Sequence, residues 1–247
     1  SITITCNTIN GDLAIGEVCN KNTAISYNAT YFCTSSSPVS PVLTGNGGGV
    51  YSSTAGLVIN ASTGTITPSA STAGEYKIYY TVAATAECTE YIATATVFIN
   101  EAPQASIVFE NGPYCTGGGI VIPTFAGNTG GVFSANDGLY IDPLTGAVNL
   151  GTNPVGNYTV TYSIAASGGC EAVSSATSIH IENPGRWIGT ANTQWNETAN
   201  WLCGIIPATG ADVSIDSGVV NYPVIDSNIT VSLHNLTIAS GASFKVS

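Results

Sequence analysis

The chain has 247 residues, of which only 8% are charged, and 15 acidic residues against four basic ones give it a formal net charge of -11. This charge repels phosphate backbones and anionic lipids, which excludes nucleic acids and membrane surfaces as expected partners. No apolar run approaches the ~20 residues that a membrane-spanning helix needs, so membrane insertion is not expected either.

Residues 1–20 stand apart from the rest of the sequence. Ser1 to Thr5 alternates like a strand, and Asn10-Gly11 is a hairpin turn signal. We expect either an N-terminal segment or the remnant of an upstream domain. The chain contains no Met, so we also expect a processed piece of a longer protein.

A module of about 82 residues then occurs twice, at 21–102 and at 103–184. Many positions of the first copy recur, without a gap, in the second. These are Cys33, Pro41, Gly48, Gly49, Val50, Ser52, Leu57, Ile59, Thr63, Gly64, Gly74, Tyr76, Tyr80 and Cys88 in the first copy. Tandem modules give a chain reach and many weak contacts, which favours a surface or adhesive protein over a compact enzyme.

Each module reads as a series of short strands. Opening strands are predicted at 22–27 and 104–109, and tight hairpin turns at 62–65 and 144–147. The strongest pattern is strict alternation over 76–84, followed by a second strand at 92–99, which predicts a terminal hairpin. About seven strands per module predict an immunoglobulin-like (Ig-like) sandwich, with a tyrosine corner at Tyr76 and at Tyr158. The predicted fold class is therefore all-β.

The cysteines occupy the same places in both modules, 55 residues apart. Identical placement favours one bridge per module, Cys33 with Cys88 and Cys115 with Cys170. Cys6 and Cys19 form a candidate third pair, and Cys203 is then left over, either free or bridged to something outside this segment. Disulfides predict an oxidising, extracellular setting.

Proline restricts both junctions, Asn100 to Pro103 and Glu182 to Gly185. Because Pro limits swivelling, we expect the modules to stack as a semi-rigid rod.

The composition changes in residues 185–247, which hold all three Trp: Trp187, Trp195 and Trp201. Four short alternating runs follow, at 212–216, 228–233, 235–239 and 243–247. Such closely spaced strands predict a module like a β-solenoid, capped by the Trp segment. A solenoid needs a covered end, so this module is expected to continue past Ser247.

Three repeated motifs, Gly-Gly-x-Tyr/Phe-Ser, x-Thr-Gly-x-Ile/Val and Gly-x-Tyr, together with the Cys pair, resemble the tandem Ig-like repeats of very large Bacteroidota surface proteins. These include gliding-motility-associated adhesins. The Trp segment is similar to a module near the C-terminus of such proteins, so the resemblance covers about residues 22–247. It implies export by the type IX secretion machinery, outer-membrane anchoring proteins as partners, and adhesion. The secretion signal domain that ends such proteins is absent from this sequence.

Catalytic constellations are scarce. His180 and His234 lie in predicted strands of different modules and read as strand-face residues rather than bases. No zinc-protease, nucleotide-phosphate or dinucleotide motif is present. We therefore predict that the chain is not an enzyme and needs no cofactor.

Two further candidate sites are weaker, and for each a simpler structural role is favoured. Asp212, Asp216 and Asp226 could supply oxygen ligands to Ca²⁺, but solvated turn carboxylates are favoured. Rings of the three Trp could stack on sugars if they were exposed, but clustered Trp more often caps a core.

The sequence thus predicts a non-enzymatic stalk or adhesive segment of a large secreted cell-surface adhesin, with a surface glycan or the substratum as its target. The alternative is a set of carbohydrate-binding accessory modules of a secreted glycan-active enzyme.

Overall fold

A computed structural model describes residues 23–85, 88–110, 112–136 and 138–247. The predicted segment 1–20, with Cys6 and Cys19, lies outside them. The chain divides into two compact units, one of Ser1–Ala102 with Ala166–Glu171 (unit 1) and one of Pro103–Ala165 with Ala172–Ser247 (unit 2). The module boundaries given above stay predictions. Among the described residues, no helix is long and apolar enough to cross a membrane.

The described residues of unit 1 form six strands in two sheets. They are β1 (Ala24–Ser26), β2 (Tyr31–Cys33), β3 (Val42–Thr44), β4 (Val50–Ser53), β5 (Gly74–Val82) and β6 (Tyr91–Asn100). One sheet has the order β2-β6-β5-β4, in which β2 alone runs parallel to its neighbour. The other joins β1 to β3 and continues through single bridges of Ile66 with Val39 and with Ile59. A single 3-10 turn, Pro68–Ala70, precedes β5.

The second sequence repeat lies in unit 2 except for residues 166–171, and its larger sheet has the same strand order as that of the first. Its strands are β7 (Ala105–Val108), β8 (Tyr114–Cys115), β9 (Ile120–Val121), β10 (Thr124–Gly127), β11 (Val132–Ala135), β12 (Val148–Asn149), β13 (Gly156–Ile164) and β14 (Val173–Glu182). The larger sheet has the order β11-β13-β14-β8, and the smaller pairs are β7 with β10 and β9 with β12.

The strand order is that of an Ig-like sandwich. In each repeat three strands form one antiparallel sheet, β4-β5-β6 and β11-β13-β14, while the opening strand pairs in the other sheet, β1 with β3 and β7 with β10. The short strand that follows the opening strand in sequence, β2 or β8, belongs to the larger sheet and runs parallel to the last strand. The predicted all-β, Ig-like fold is therefore confirmed.

The terminal hairpin holds the core of each repeat. β5 and β6 pair over nine positions, and Tyr76, Ile78 and Tyr80 of β5 are buried on one face, as the alternation predicts. The equivalent residues of β13 are Tyr158, Val160 and Tyr162, which are buried in the same way. The predicted hairpin is confirmed in both repeats.

Hydrogen bonds of the repeated tyrosines form the tyrosine corners and involve one of the repeated glycines. The Tyr76 hydroxyl donates to the Thr72 carbonyl at 2.7 Å and that of Tyr158 to the Pro154 carbonyl at 3.0 Å, which confirms the tyrosine corners. The Gly49 N–H donates to the Tyr80 hydroxyl at 2.8 Å. A Cβ at Gly49 would lie 2.6 Å from that ring, so this position requires glycine.

Residues 186–247 of unit 2 form parallel sheets. Their strands are β15 (Arg186–Trp187), β16 (Ala211–Ile215), β17 (Val224–Ile225), β18 (Leu233–Ile238) and β19 (Lys245–Val246). The order β15-β16-β18 forms one sheet and β17-β19 another, which a bridge of Gln194 to Val224 extends. The chain alternates between the two sheets, as a solenoid requires, although the β-solenoid itself stays a prediction.

One predicted strand of this region is wrong. Residues 228–232 are not a strand, and β17 lies earlier, directly after Pro223. The Ile229 N–H donates to the Asp226 carbonyl at 2.9 Å, so a turn occupies the start of the predicted run. Local alternation could not distinguish this turn from the strand before it.

Candidate functional site

The three Trp form the centre of a buried cluster. Trp187, Trp195 and Trp201 are 0%, 2% and 1% exposed, and Trp201 meets both other rings nearly at right angles, with centroids 5.0 and 4.6 Å away. Stacking on a sugar needs an exposed ring face, so the carbohydrate site proposed at these residues is wrong in this structure. The rings supply core area instead.

Asn200 fixes the loop that carries the Trp residues. Its side chain is fully buried, and its Oδ1 accepts from the N–H groups of Ala191 and Asn192, both at 3.0 Å. Its Nδ2 donates to the side chain of Asn192 and to the Gln194 carbonyl, both at 2.9 Å. The sequence analysis did not identify this role of Asn200.

The aspartates proposed as Ca²⁺ ligands have separate partners. Asp212 accepts from Asn235 and contacts His234, both at 2.9 Å, and these hydrogen bonds lower its pKa. Asp216 pairs with Arg186 at 2.8 Å, and Asp226 lies 3.4 Å from the Ser247 hydroxyl. The described residues contain no group of three acidic, His or Cys side chains that could hold a metal ion.

The remaining histidine belongs to a charged network that joins β14 to β15. Arg186, the single Arg of the chain, contacts both Glu182 oxygens at 3.0 and 2.9 Å, and His180 Nε2 lies 2.6 Å from the same carboxylate. Burial by itself would raise the pKa of Glu182, but the hydrogen bonds and charges of Arg186 and His180 outweigh it and hold that pKa below its usual value. The network ties strand ends together and presents no nucleophile.

Replacing Glu182 by Gln should lower the free energy of unfolding of unit 2 by about 1 to 2 kcal/mol at pH 7, because charge-assisted hydrogen bonds are lost. The folded-state pKa is lowered, so the carboxylate stabilises the fold above its unfolded pKa of about 4.3 and this contribution disappears as the pH falls through the folded value. Urea titrations followed by Trp fluorescence at pH 7 and pH 3 test this. Glu110→Gln, at an exposed position, is the control; an equal loss at both pH values would contradict the assignment.

The disulfides do not join cysteines of the same repeat. Cys33 is bonded to Cys170, and Cys115 is bonded to Cys203. Cys88 is also disulfide-bonded, but not to Cys33. The predicted pairs Cys33 with Cys88 and Cys115 with Cys170 are therefore wrong, as is the prediction that Cys203 is left over.

The geometry of the last strand explains this correction. Cys33 pairs in register with Asn100, at the end of β6, whereas Cys88 precedes Tyr91, at its start. Ten extended residues separate these two ends by about 30 Å, and a disulfide requires Cα atoms within about 7 Å. Cys115 and Cys170 are likewise at opposite ends of β14, since Cys115 pairs with Glu182.

The Cys33–Cys170 bond lies inside unit 1. Its cysteines are 1% and 6% exposed. Residues 166–171 form a tight turn in which Ser167 and Cys170 exchange backbone hydrogen bonds, and the Asn100 side chain donates to the Gly168 carbonyl at 2.6 Å. Gly169 has a φ of +80°, and a Cβ there would collide with the Tyr31 carbonyl. The Gly168-Gly169 pair thus permits the close approach that the bond needs.

The Cys115–Cys203 bond lies inside unit 2. Cys115 is placed as Cys33 is, since the following residue donates its N–H to the end of the last strand in both repeats: Thr34 to Asn100 at 2.8 Å and Thr116 to Glu182 at 3.0 Å. Cys203 lies in a 3-10 turn, Leu202–Gly204, with a φ of +63°. This left-handed conformation is uncommon for a residue other than Gly.

The sequence contains only part of the information that this pairing needs. Each repeat has one cysteine in an early strand and one in the loop before its last strand. Once a parallel contact between the early and last strands is assumed, the two must lie at opposite ends of the module. Sequence spacing alone does not contain that contact, so the pairing required the fold.

Comparisons with known proteins add a match for the C-terminal region. Residues 186–247 match a family model described as a domain of unknown function, DUF8693. No curated protein matches the chain.

Several solved structures are similar to the chain at low identity. Drosophila N-cadherin EC1-4 is 10% identical with a TM-score of 0.33, and the match covers 65% of this chain and 50% of that one. An I-band fragment of titin is 13% identical, with a TM-score of 0.34 and coverage of 78% and 71%. A SusE-like, surface-located polysaccharide-binding protein of Bacteroides thetaiotaomicron is 13% identical, with a TM-score of 0.27 and coverage of 70% and 38%. The chain thus spans half or less of the N-cadherin and SusE-like structures. Its Ig-like assignment rests on the strand order.

Proposed function

We propose that this chain is a non-enzymatic, extracellular segment of a bacterial cell-surface protein that acts as an adhesive stalk. The observation that carries the proposal is the disulfide connectivity, because each of the two bonds links one sequence module to another. Such bonds persist in oxidising compartments outside the cytosol. They join parts of the chain that belong to successive sequence modules.

Tandem Ig-like repeats with few charges support the same role. The repeat motifs favour a large Bacteroidota adhesin of the gliding-associated type, exported by type IX secretion and held by outer-membrane anchoring proteins. The target of that whole adhesin would be a surface glycan or the substratum. The burial of all three Trp rings disfavours the alternative of a glycan-binding accessory module.

Antibodies against this segment test the location. They should label intact, unpermeabilised cells of the source organism, and labelling only after permeabilisation would refute the proposal. A strain that lacks the coding region for residues 21–184 should still display the protein but detach from surfaces under lower flow. Normal detachment with normal display would show that the segment is not part of an adhesive stalk.

Glycan binding separates the two functional classes. The isolated chain should show no saturable binding to soluble polysaccharides, whereas an accessory module would bind its own substrate. Substitution of the exposed Val220 serves as the control for any surface effect.

A further inference from the structure

The two described disulfides close overlapping loops of the chain. Cys33–Cys170 spans 137 residues and Cys115–Cys203 spans 88. Cys115 lies within the first loop, and Cys203 lies beyond it. Neither bond therefore encloses the other, and the two loops share residues 115–170.

We infer that the Cys33–Cys170 bond is a covalent tension bypass. A force applied between a point before Cys33 and a point after Cys203 passes through this bond and enters the chain again at Cys170. The backbone between the two cysteines, which includes β3–β6 and β7–β13, then carries no load along its covalent path. This deepens the proposed stalk role and rests on it only for its biological use.

The structure places the load on a strand that is suited to carry it. The segment that follows Cys170 leads into β14, which pairs with β13 over nine positions and with β8 at its far end. From there the chain passes Arg186, whose side chain joins Glu182 to Asp216, and reaches the buried Trp cluster. The stretch 171–203 is thus the covalent link between the bypass and the C-terminal sheets.

Burial protects the bypass. Cys33 and Cys170 are almost fully buried, and the Cys170 Sγ lies against the carbonyls of Asn100 and Glu101 at 3.9 and 3.5 Å. A reductant must attack a sulfur directly, so the folded turn of 166–171 has to open first. The bond should persist while unit 1 is folded.

The end-to-end length of the stretched, unfolded chain reveals overlapping loops, because the shortenings that the two bonds cause do not add. With both bonds formed, the stretched chain is shortened by the 137 residues of the longer loop, about 480 Å at ~3.5 Å per residue. With Cys115–Cys203 alone, it is shortened by 88 residues, about 310 Å at the same rise. Loss of the Cys115–Cys203 bond alone leaves the stretched length unchanged, because the covalent path through the Cys33–Cys170 bond is already the shortest one.

Single-molecule pulling of the full chain from both termini measures these lengths. Since Cys88 is disulfide-bonded as well, the parent carries Cys6→Ser, Cys19→Ser and Cys88→Ser, so that only the two described bonds remain. Relative to the parent treated with reductant, the oxidised parent and its C115S/C203S derivative should both be shorter by about 480 Å, and C33S/C170S by about 310 Å. Non-reducing peptide mapping confirms the bonds in each sample.

Each alternative result overturns the inference. Equal lengths for C33S/C170S and the parent would show that the longer loop carries no bypass, and a longer C115S/C203S chain would show that load runs through Cys203. Mapping that finds another pairing would do the same. The length after complete unfolding depends on the disulfide bonds alone, so a variant of low stability still gives an interpretable length. Adhesion of the source cells is not measured here, so unexpected lengths with both bonds confirmed by mapping leave the proposed function to its own test. Another pairing would remove the observation on which both proposals rest.

Discussion

Replacing Cys115 and Cys203 together by serine is expected to lower the free energy of unfolding of unit 2 by about 3 to 4 kcal/mol. Closing a loop of 88 residues removes chain entropy from the unfolded state worth about 4.5 kcal/mol. Release of the left-handed backbone at Cys203 offsets about 1 kcal/mol of this loss of stability. The loss should therefore remain large, and it should appear as a lower denaturation midpoint.

Trp fluorescence makes this measurement specific to one unit. All three Trp lie in unit 2, so a guanidinium titration followed by Trp emission reports the unfolding of that unit alone. The matched control is C33S/C170S, which removes the bond of unit 1 and should move the Trp transition far less. Equal shifts for the two double variants, or a loss below about 1 kcal/mol for C115S/C203S, would show that the bond does not constrain unit 2 as the chain-entropy model requires.

Local periodicity was enough to predict the sandwich. Alternating burial from Tyr76 to Tyr80 and the turn signals around it determine which residues face the core, and both follow from the two-residue period of a strand. The repeat then doubled the evidence, because a position such as Gly49 recurs only where the backbone has no room for a side chain. The hairpins and tyrosine corners were predictable for the same reason.

Long-range pairing was not predictable in this way. The partner of Cys33 depends on which end of β6 it lies beside, and this is set by the parallel contact of β2 with β6. Nothing in the spacing of 55 residues specifies that contact. The candidate ligand site failed for a related reason: whether Trp195 is exposed or buried depends on neighbours such as Phe244, which are distant in sequence.

Replacing Trp201 by Ala is expected to destabilise unit 2 by about 4 kcal/mol, since large-to-small changes at fully buried aromatic positions cost about 3 to 5 kcal/mol. The ring loses its edge contacts with Trp187 and Trp195, and the Trp195 carbonyl loses the hydrogen bond that the Trp201 Nε1 donates at 2.7 Å. Trp201→Phe keeps a ring but not the donor, so it should cost less, about 2 kcal/mol. Thermal unfolding followed by near-ultraviolet circular dichroism tests both, with Val220→Ala at an exposed position as the neutral control. If Trp201→Ala instead left the unfolding midpoint unchanged while altering binding to a polysaccharide, the ring would have to be a ligand contact, and the buried cluster would not be the reason for the three Trp.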